Sequence, residues 1–150
     1  MSEAVVWGAI GLAALNAVAG LLGGWRWYRR ESSRDFWVLL RVAQVGALAY
    51  ALAVGALAAV GRSSTDELFY LYALLPLAVG FVAEQLRVVS AQTVLDQRDI
   101  AGAQAVGELP ESEQREIVAA IVRRETGVMA LSALVVVFLA LRAAETAHGF

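Results

Sequence analysis

Four long apolar stretches dominate the chain, and short polar segments separate them. Residues 4–24 contain one strongly polar side chain, Asn16, and residues 42–60 contain only Gln44. Each stretch is close to the roughly 20 residues that a helix needs to cross a hydrocarbon core of about 30 Å. The pattern therefore predicts an all-α integral membrane protein in which four transmembrane helices form a single bundle.

Local signals place the ends of these helices. Ser33 or Asp35 can cap the second helix, Thr65 or Asp66 can cap the third, and Pro110 suits the first turn of the fourth. The sequence predicts helices over residues 4–27, 36–60, 67–105 and 110–144, give or take a turn.

The third and fourth predicted helices are longer than a bilayer requires. The uncharged core of the third helix covers only residues 68–83, and neither Pro nor Gly follows until Gly102. The fourth helix has charged residues before its own uncharged core, residues 126–141. We therefore expect residues of about 86–124 to form a long helical hairpin outside the membrane. Its apolar stripes either pack on each other or bind a partner.

The arginines indicate which side of the membrane each segment faces. Ten of the twelve lie in the first connection or in the hairpin, and Arg62 and Arg142 lie on the opposite side. The positive-inside rule then predicts a multi-pass protein of the cell membrane with a cytoplasmic first connection, a cytoplasmic hairpin and both termini outside.

Composition excludes several chemistries. Apolar residues make up 59% of the chain and charged residues 17%, while cysteine is absent and histidine occurs once, at His148. Disulfides, cysteine-ligated zinc and bis-histidine haem are thereby excluded within one chain. No catalytic, metal or cofactor motif is present, so we expect no cofactor. Arginine clusters without interleaved aromatic residues indicate no nucleic-acid surface.

Charged residues at the inner end of the third helix form the strongest candidate for a ligand or ion site. We expect Glu84 to pair with Arg41 or Arg124, and Glu125 to pair with Arg87, because ionisable groups near hydrocarbon need partners. The structural alternative is that the arginines reach lipid phosphates and Glu84 is a counter-ion. The functional alternatives are a site for an anionic lipid head group and a carboxylate on an ion path. The candidate residues are Glu84, Arg87, Gln92, Arg41, Arg123, Arg124 and Glu125.

Two isolated amides form the second candidate. Asn16 and Gln44 each lie in an apolar segment, so both need hydrogen-bond partners and could serve each other or line a cavity. Small residues also recur every four positions, at residues 16, 20 and 24 and at residues 47, 51, 55 and 59. Such faces serve either packing within the chain or self-association.

Three functions fit this sequence. The leading hypothesis is a non-enzymatic membrane protein that acts by assembly, as a homo-oligomer or as an accessory subunit in the lipid bilayer. The second is an oligomeric channel or transporter with Asn16, Gln44 and Glu84 along its path. The third is an enzyme or binding site for a lipid or quinone at the cytoplasmic interface, which requires a pocket that converges on Glu84.

Overall fold

The computed structural model describes residues 2–148, and these residues form five α-helices and no strand. The four long helices are each long and apolar enough to cross a membrane. The prediction of an all-α, four-span membrane bundle is confirmed. The helices are α1 (Ser2–Arg29), α2 (Arg34–Ala59), α3 (Glu67–Gln97), α4 (Ala103–Gly107) and α5 (Glu111–Thr146).

Helix α5 is the central element of the bundle, because it packs along both α1 and α3, whereas α2 lies against α1 and more loosely against α3. Small residues allow the close approach. A Cβ atom placed on Gly20 would lie 2.6 Å from the Leu134 side chain of α5, and Ala143 is fully buried. The predicted small-residue face of α1 is therefore used within the chain at Gly20, while Gly24 and Gly55 meet no neighbour within 4 Å.

The predicted helix caps are present at α2 and α3. The Ser33 side chain accepts a hydrogen bond from the backbone N–H of Phe36 at 3.2 Å. Asp66 does the same for the backbone N–H of Leu68 at 2.9 Å. Each cap satisfies a backbone donor that the first helical turn leaves unpaired.

The predicted end of the third helix is wrong. The helix was expected to continue to residue 105, but α3 ends at Gln97 and a separate short helix, α4, follows. Asp99 adopts a left-handed conformation, φ 55°, and the Ile100 N–H donates to the Leu95 carbonyl at 3.0 Å. This bond is the signature of a helix that ends in a left-handed residue, a conformation that Asp tolerates better than most residues. The helix therefore ends without any Gly or Pro.

The hairpin beyond the membrane-spanning region closes on itself. Val94 and Leu95 of α3 are buried against Ile117 of α5, which is 1% exposed. Ile100 and Val106, which follow α3, cover the same cluster. The apolar stripes of the two arms thus pack mainly on each other.

Both ends of the bundle are well defined. At one end, the Thr65 N–H donates to the His148 carbonyl at 3.0 Å, and the Tyr50 hydroxyl donates to the Val5 carbonyl at 3.3 Å. The start of α1, the α2–α3 connection and the end of α5 therefore share this end. The α1–α2 turn and the hairpin share the other end, which the arginine distribution predicts to be cytoplasmic.

Candidate functional site

Glu84 is the centre of a polar cluster that joins α2 to α3 at the hairpin end of the bundle. Its Oε1 accepts hydrogen bonds from Arg41 Nη1 at 2.5 Å and from Gln44 Nε2 at 3.0 Å. Its Oε2 accepts from Arg87 Nε at 2.9 Å. The predicted pairing of Glu84 with Arg41 is confirmed.

The spacing of the polar residues along their helices produces this geometry. Arg41 and Gln44 are three residues apart on α2, and Glu84 and Arg87 are three residues apart on α3, so each pair shares one helix face. Arg41 Nη1 also donates to Gln44 Oε1 at 2.6 Å, which fixes the amide. Two short sequence motifs on antiparallel helices therefore meet at one depth.

The cluster extends to α5 and is balanced in charge. Arg87 Nη1 lies 4.0 Å from Glu125 Oε2, which confirms the predicted Glu125–Arg87 pair. The Arg87 guanidinium also lies over the Trp37 ring, 5.8 Å from its centroid. Two arginines, Arg41 and Arg87, face two glutamates, so the cluster has no formal net charge.

A groove of about 280 Å³ lies beside this cluster, and Glu84 and Gln44 form part of its wall. Its walls come from α2 and α3, and α1 and α5 supply its floor. Leu48 and Phe81 flank it and are 48% and 67% exposed on the outer surface of the bundle. Because that surface belongs to membrane-spanning segments, the groove opens toward lipid.

Polarity changes along the groove. Pro76 and Leu77 line it deep in the membrane-spanning part of α3, and Glu84 lines it two turns closer to the hairpin. Rising 1.5 Å per residue, α3 separates Pro76 from Glu84 by about 12 Å. The groove wall along α3 is thus apolar from Pro76 to Phe81 and polar at the hairpin end, while Asn16 and Ser132 add polar groups to the floor.

Asn16 lies on the floor of this groove and is 4% exposed. Its Nδ2 donates to the Leu12 carbonyl at 2.9 Å, and its side-chain oxygen accepts no hydrogen bond within residues 2–148. The expectation that Asn16 and Gln44 bond to each other is wrong, because Gln44 is held by Arg41 and Glu84. Both amides nevertheless line one groove with Glu84.

A second pocket, of about 520 Å³, lies where the hairpin end of α1 meets the beginning of α5. Arg26, Trp27 and Arg30 line one side, and Arg115 and Arg123 line the other. The Arg123 guanidinium lies over the Trp27 ring, 5.1 Å from its centroid. Gly127 leaves room for this indole, since a Cβ atom there would lie 2.8 Å from Trp27 Nε1.

Positive charge exceeds negative charge in this pocket. Four arginines and two glutamates, Glu31 and Glu111, line it. Glu31 pairs with Arg26 at 2.6 Å, and Glu111 pairs with Arg115. Arg123 forms no ion pair within the part of the chain that the structure describes. The Nε atoms of Arg26 and Arg123 are buried donors without a partner among the described residues, a state that costs about 1–3 kcal/mol per atom.

The residues predicted to form one charged cluster are therefore divided between two sites and the exposed surface. Arg123 lies in the second pocket, away from Glu84, while Arg124 is exposed and lines neither cavity. Gln92 is exposed and donates to Asp96 at 2.6 Å, which places it on the hairpin surface. Successive helical residues differ by about 100° in direction, so Arg123, Arg124 and Glu125 point to different neighbours.

Sequence reasoning missed Arg26, Arg30 and Trp27 as members of a site. They were used only to orient the chain, because nothing in the sequence shows that the end of α1 packs against the start of α5. The unusual Arg-Trp-Tyr-Arg-Arg run at the membrane boundary was the available signal.

Comparison of the chain with protein-family models, with curated proteins and with solved structures gave no match. Among the described residues, no group of three or more His, Cys, Asp or Glu side chains is arranged to hold a metal ion. The groove and the arginine pocket are therefore the two candidate binding sites.

Proposed function

We propose that this protein is a non-enzymatic membrane protein that binds a neutral amphiphile in the groove between α2 and α3. The observation that carries the proposal is the polarity of the groove, which has apolar walls along α3 and Glu84 with Gln44 at its hairpin end. An amphiphile in a bilayer has the same arrangement, with its polar head at the interface and its apolar part toward the midplane.

The lipid phase supplies the ligand. The groove opens between Leu48 and Phe81 on the outer surface of the bundle, so molecules within the bilayer reach it laterally. Its volume of about 280 Å³ is slightly below the roughly 300–1,000 Å³ that ligand sites span. This volume suits one apolar chain and a small head group rather than a whole two-chain phospholipid.

A spare hydrogen-bond acceptor on Glu84 defines the head group. Glu84 Oε2 accepts one hydrogen bond, from Arg87, although a carboxylate oxygen has two lone-pair sites. The Asn16 side-chain oxygen also accepts none from residues 2–148, but Asn16 lies deeper in the bundle, one helical turn from the cluster of Leu12 and Leu77, and is not part of the head-group end. Because the cluster around Glu84 has no formal net charge, a neutral head that donates a hydrogen bond matches it better than an ion. A hydroxyl group fits this description.

Binding is favoured over catalysis because Arg41 and Arg87 hold Glu84 in its charged form. A general base must be free to take a proton from the substrate, but Glu84 would lose its contacts with Arg41 and Arg87 in doing so. The enzyme hypothesis therefore has weaker support than the binding hypothesis, although the pocket that it required at Glu84 exists.

Assembly and transport stay predictions. The assembly hypothesis relied on the apolar stripes of the hairpin and on the small-residue faces of the helices. Ile117 of the hairpin and Gly20 of α1 already pack against other parts of the same chain. Transport depended on a path between protomers, whereas Asn16, Gln44 and Glu84 line a groove within one chain.

Filling the groove tests the proposal. A Cβ atom on Gly80 would meet nothing within 4 Å, and Gly80 lines the groove, so Gly80→Leu places a larger side chain at an open position of the groove wall. Gly55→Leu is the matched control, because Gly55 is also a helical glycine with open space around it and lies outside the groove. Both substitutions raise helix propensity by a similar amount.

The measurement is native mass spectrometry of the purified protein incubated with monooleoylglycerol, or with methyl oleate, which lacks a hydroxyl donor. We expect the wild type and Gly55→Leu to retain one monooleoylglycerol and Gly80→Leu to retain about tenfold less. Methyl oleate should bind about three- to tenfold more weakly, the value of one neutral hydrogen bond. Equal retention by all three proteins would refute the groove, and equal retention of the two lipids would refute the hydroxyl head.

A further inference from the structure

We infer that the arginine pocket between α1 and α5 binds the phosphate of an anionic phospholipid. The pocket shares no lining residue with the groove. The inference is therefore independent of the proposed function, and either can fail alone.

Unused donors are the first argument. The Nε–H groups of Arg26 and Arg123 are buried without a partner among the described residues, and both arginines line the pocket. A phosphate oxygen is a strong acceptor, and guanidinium groups bind phosphate through two parallel donors. Both guanidinium groups line the pocket, so a phosphate bound there would supply an acceptor to these donors once the side chains turn toward it.

Charge is the second argument. The two lining glutamates are engaged by Arg26 and Arg115, whereas Arg30 and Arg123 form no ion pair within residues 2–148. A formal surplus of two positive charges therefore lines the pocket. A monoanionic or dianionic phosphate compensates this surplus, and a zwitterionic head group does so less well.

Position in the membrane is the third argument, and it selects a lipid over a soluble phosphate. Trp27 lines the pocket and Trp25 and Tyr28 are exposed beside it, as at a membrane interface. Arg123 precedes the uncharged core of α5, which begins at Thr126, by only three residues. The inner part of the pocket is thus at the depth of lipid phosphates, which extend roughly 5–8 Å beyond the hydrocarbon.

The wall chemistry also suits a lipid. Val118 and Val122 line the pocket beside the arginines and the Trp27 indole. A glycerol backbone packs on such apolar surface while its phosphate reaches the guanidinium groups. A freely soluble phosphate gains nothing from these side chains.

Adjacent arginines on α5 provide a sharp test. Arg123→Gln removes a charge inside the pocket, and Arg124→Gln removes the same charge one residue away, on an exposed side chain outside it. Arg30→Asn is a second pocket variant. Arg30 lies in a turn with φ 57°, a conformation that Asn adopts more readily than Arg, so the fold is preserved.

The proteins are reconstituted in nanodiscs of equal parts phosphatidylglycerol and phosphatidylcholine, and the lipids that remain bound are counted by native mass spectrometry. We expect the wild type and Arg124→Gln to retain one phosphatidylglycerol in preference to phosphatidylcholine. Arg123→Gln and Arg30→Asn should each retain it about tenfold less, as expected for loss of one charge-assisted contact.

Three results would overturn the inference. Equal retention of the two lipids by the wild type would show that the pocket does not recognise anionic head groups. Equal losses in Arg123→Gln and Arg124→Gln would show an effect of total charge only. Displacement of phosphatidylglycerol by millimolar inorganic phosphate, with phosphate retained in its place, would identify a site for a soluble anion.

Discussion

Replacing Glu84 by Gln keeps the shape of the side chain and removes the charge that joins α2 to α3. The three donors on this carboxylate come from Arg41 and Gln44 of α2 and from Arg87 of α3. Glutamine retains one acceptor oxygen and brings an NH₂ group toward two arginines. We therefore expect Glu84→Gln to loosen the hairpin end of the α2–α3 contact.

The size of the effect follows from these contacts. A hydrogen bond to a charged group contributes about 1.5–3 kcal/mol, and removing one partner of a buried ion pair costs about 3–5 kcal/mol. Here the side chains of Arg41 and Glu84 are 49% and 26% exposed at the hairpin end of the membrane-spanning region, so lipid head groups and interfacial water replace part of what is lost. We expect a loss of about 2–3 kcal/mol in the free energy of unfolding.

Unfolding in mixed dodecylmaltoside and sodium dodecyl sulfate micelles, followed by far-ultraviolet circular dichroism, measures this loss. Glu145→Gln is the control, because Glu145 pairs with Arg142 on the same helix and at an exposed position. Its midpoint should match that of the wild type. If Glu84→Gln unfolded within about 0.5 kcal/mol of the wild type, the scatter of surface substitutions, the cluster would not hold α2 to α3.

Two further predictions concern the hairpin. Ile117→Ala removes the most buried side chain of the hairpin cluster. Amide hydrogen exchange over residues 94–121 should therefore accelerate by at least tenfold, while the membrane-spanning segments keep their protection. Unchanged exchange over residues 94–121 would contradict the packing of the two hairpin arms on each other. Asp99→Gly relieves a left-handed backbone at φ 55°, so the same amides should exchange several-fold more slowly; faster exchange would show that the Asp99 side chain stabilises the turn.

The membrane-spanning part of the fold could be predicted from the sequence because it depends on the order of apolar residues along the chain and not on contacts between distant residues. A run of about 20 apolar residues predicts a spanning helix without knowledge of its neighbours. The caps at Ser33 and Asp66 are equally local, since each side chain bonds to a backbone N–H two or three residues away.

The end of α3 was predicted wrongly because no Gly or Pro marks it in the sequence. The prediction relied on Gly102 as the first breaker, but Asp99 takes the left-handed position and Ile100 turns back onto Leu95. Packing of Ile100 in the hairpin cluster stabilises that turn. Whether an Asp stops a helix therefore depends on a tertiary contact, which the sequence does not display.

Only part of the candidate site was predictable for a similar reason. The pairs Glu84–Arg41 and Glu125–Arg87 could be predicted from their depth in the membrane. Opposite charges at the same depth near hydrocarbon pair with each other because an unpaired charge there is costly. The separation of Arg123 from Glu84 depends on the rotation of α5 about its axis, which packing against α1 and α3 determines. Sequence distance alone gives no such angle.

Photolabelling with a long-chain alcohol that carries a diazirine in its apolar part tests the proposed groove most directly. Digestion and tandem mass spectrometry then locate the label. We predict that it concentrates on residues 43–48 of α2 and 76–84 of α3, and that Gly80→Leu removes this labelling while Gly55→Leu does not. Equal labelling of all lipid-facing helices, unchanged by Gly80→Leu, would contradict a binding groove.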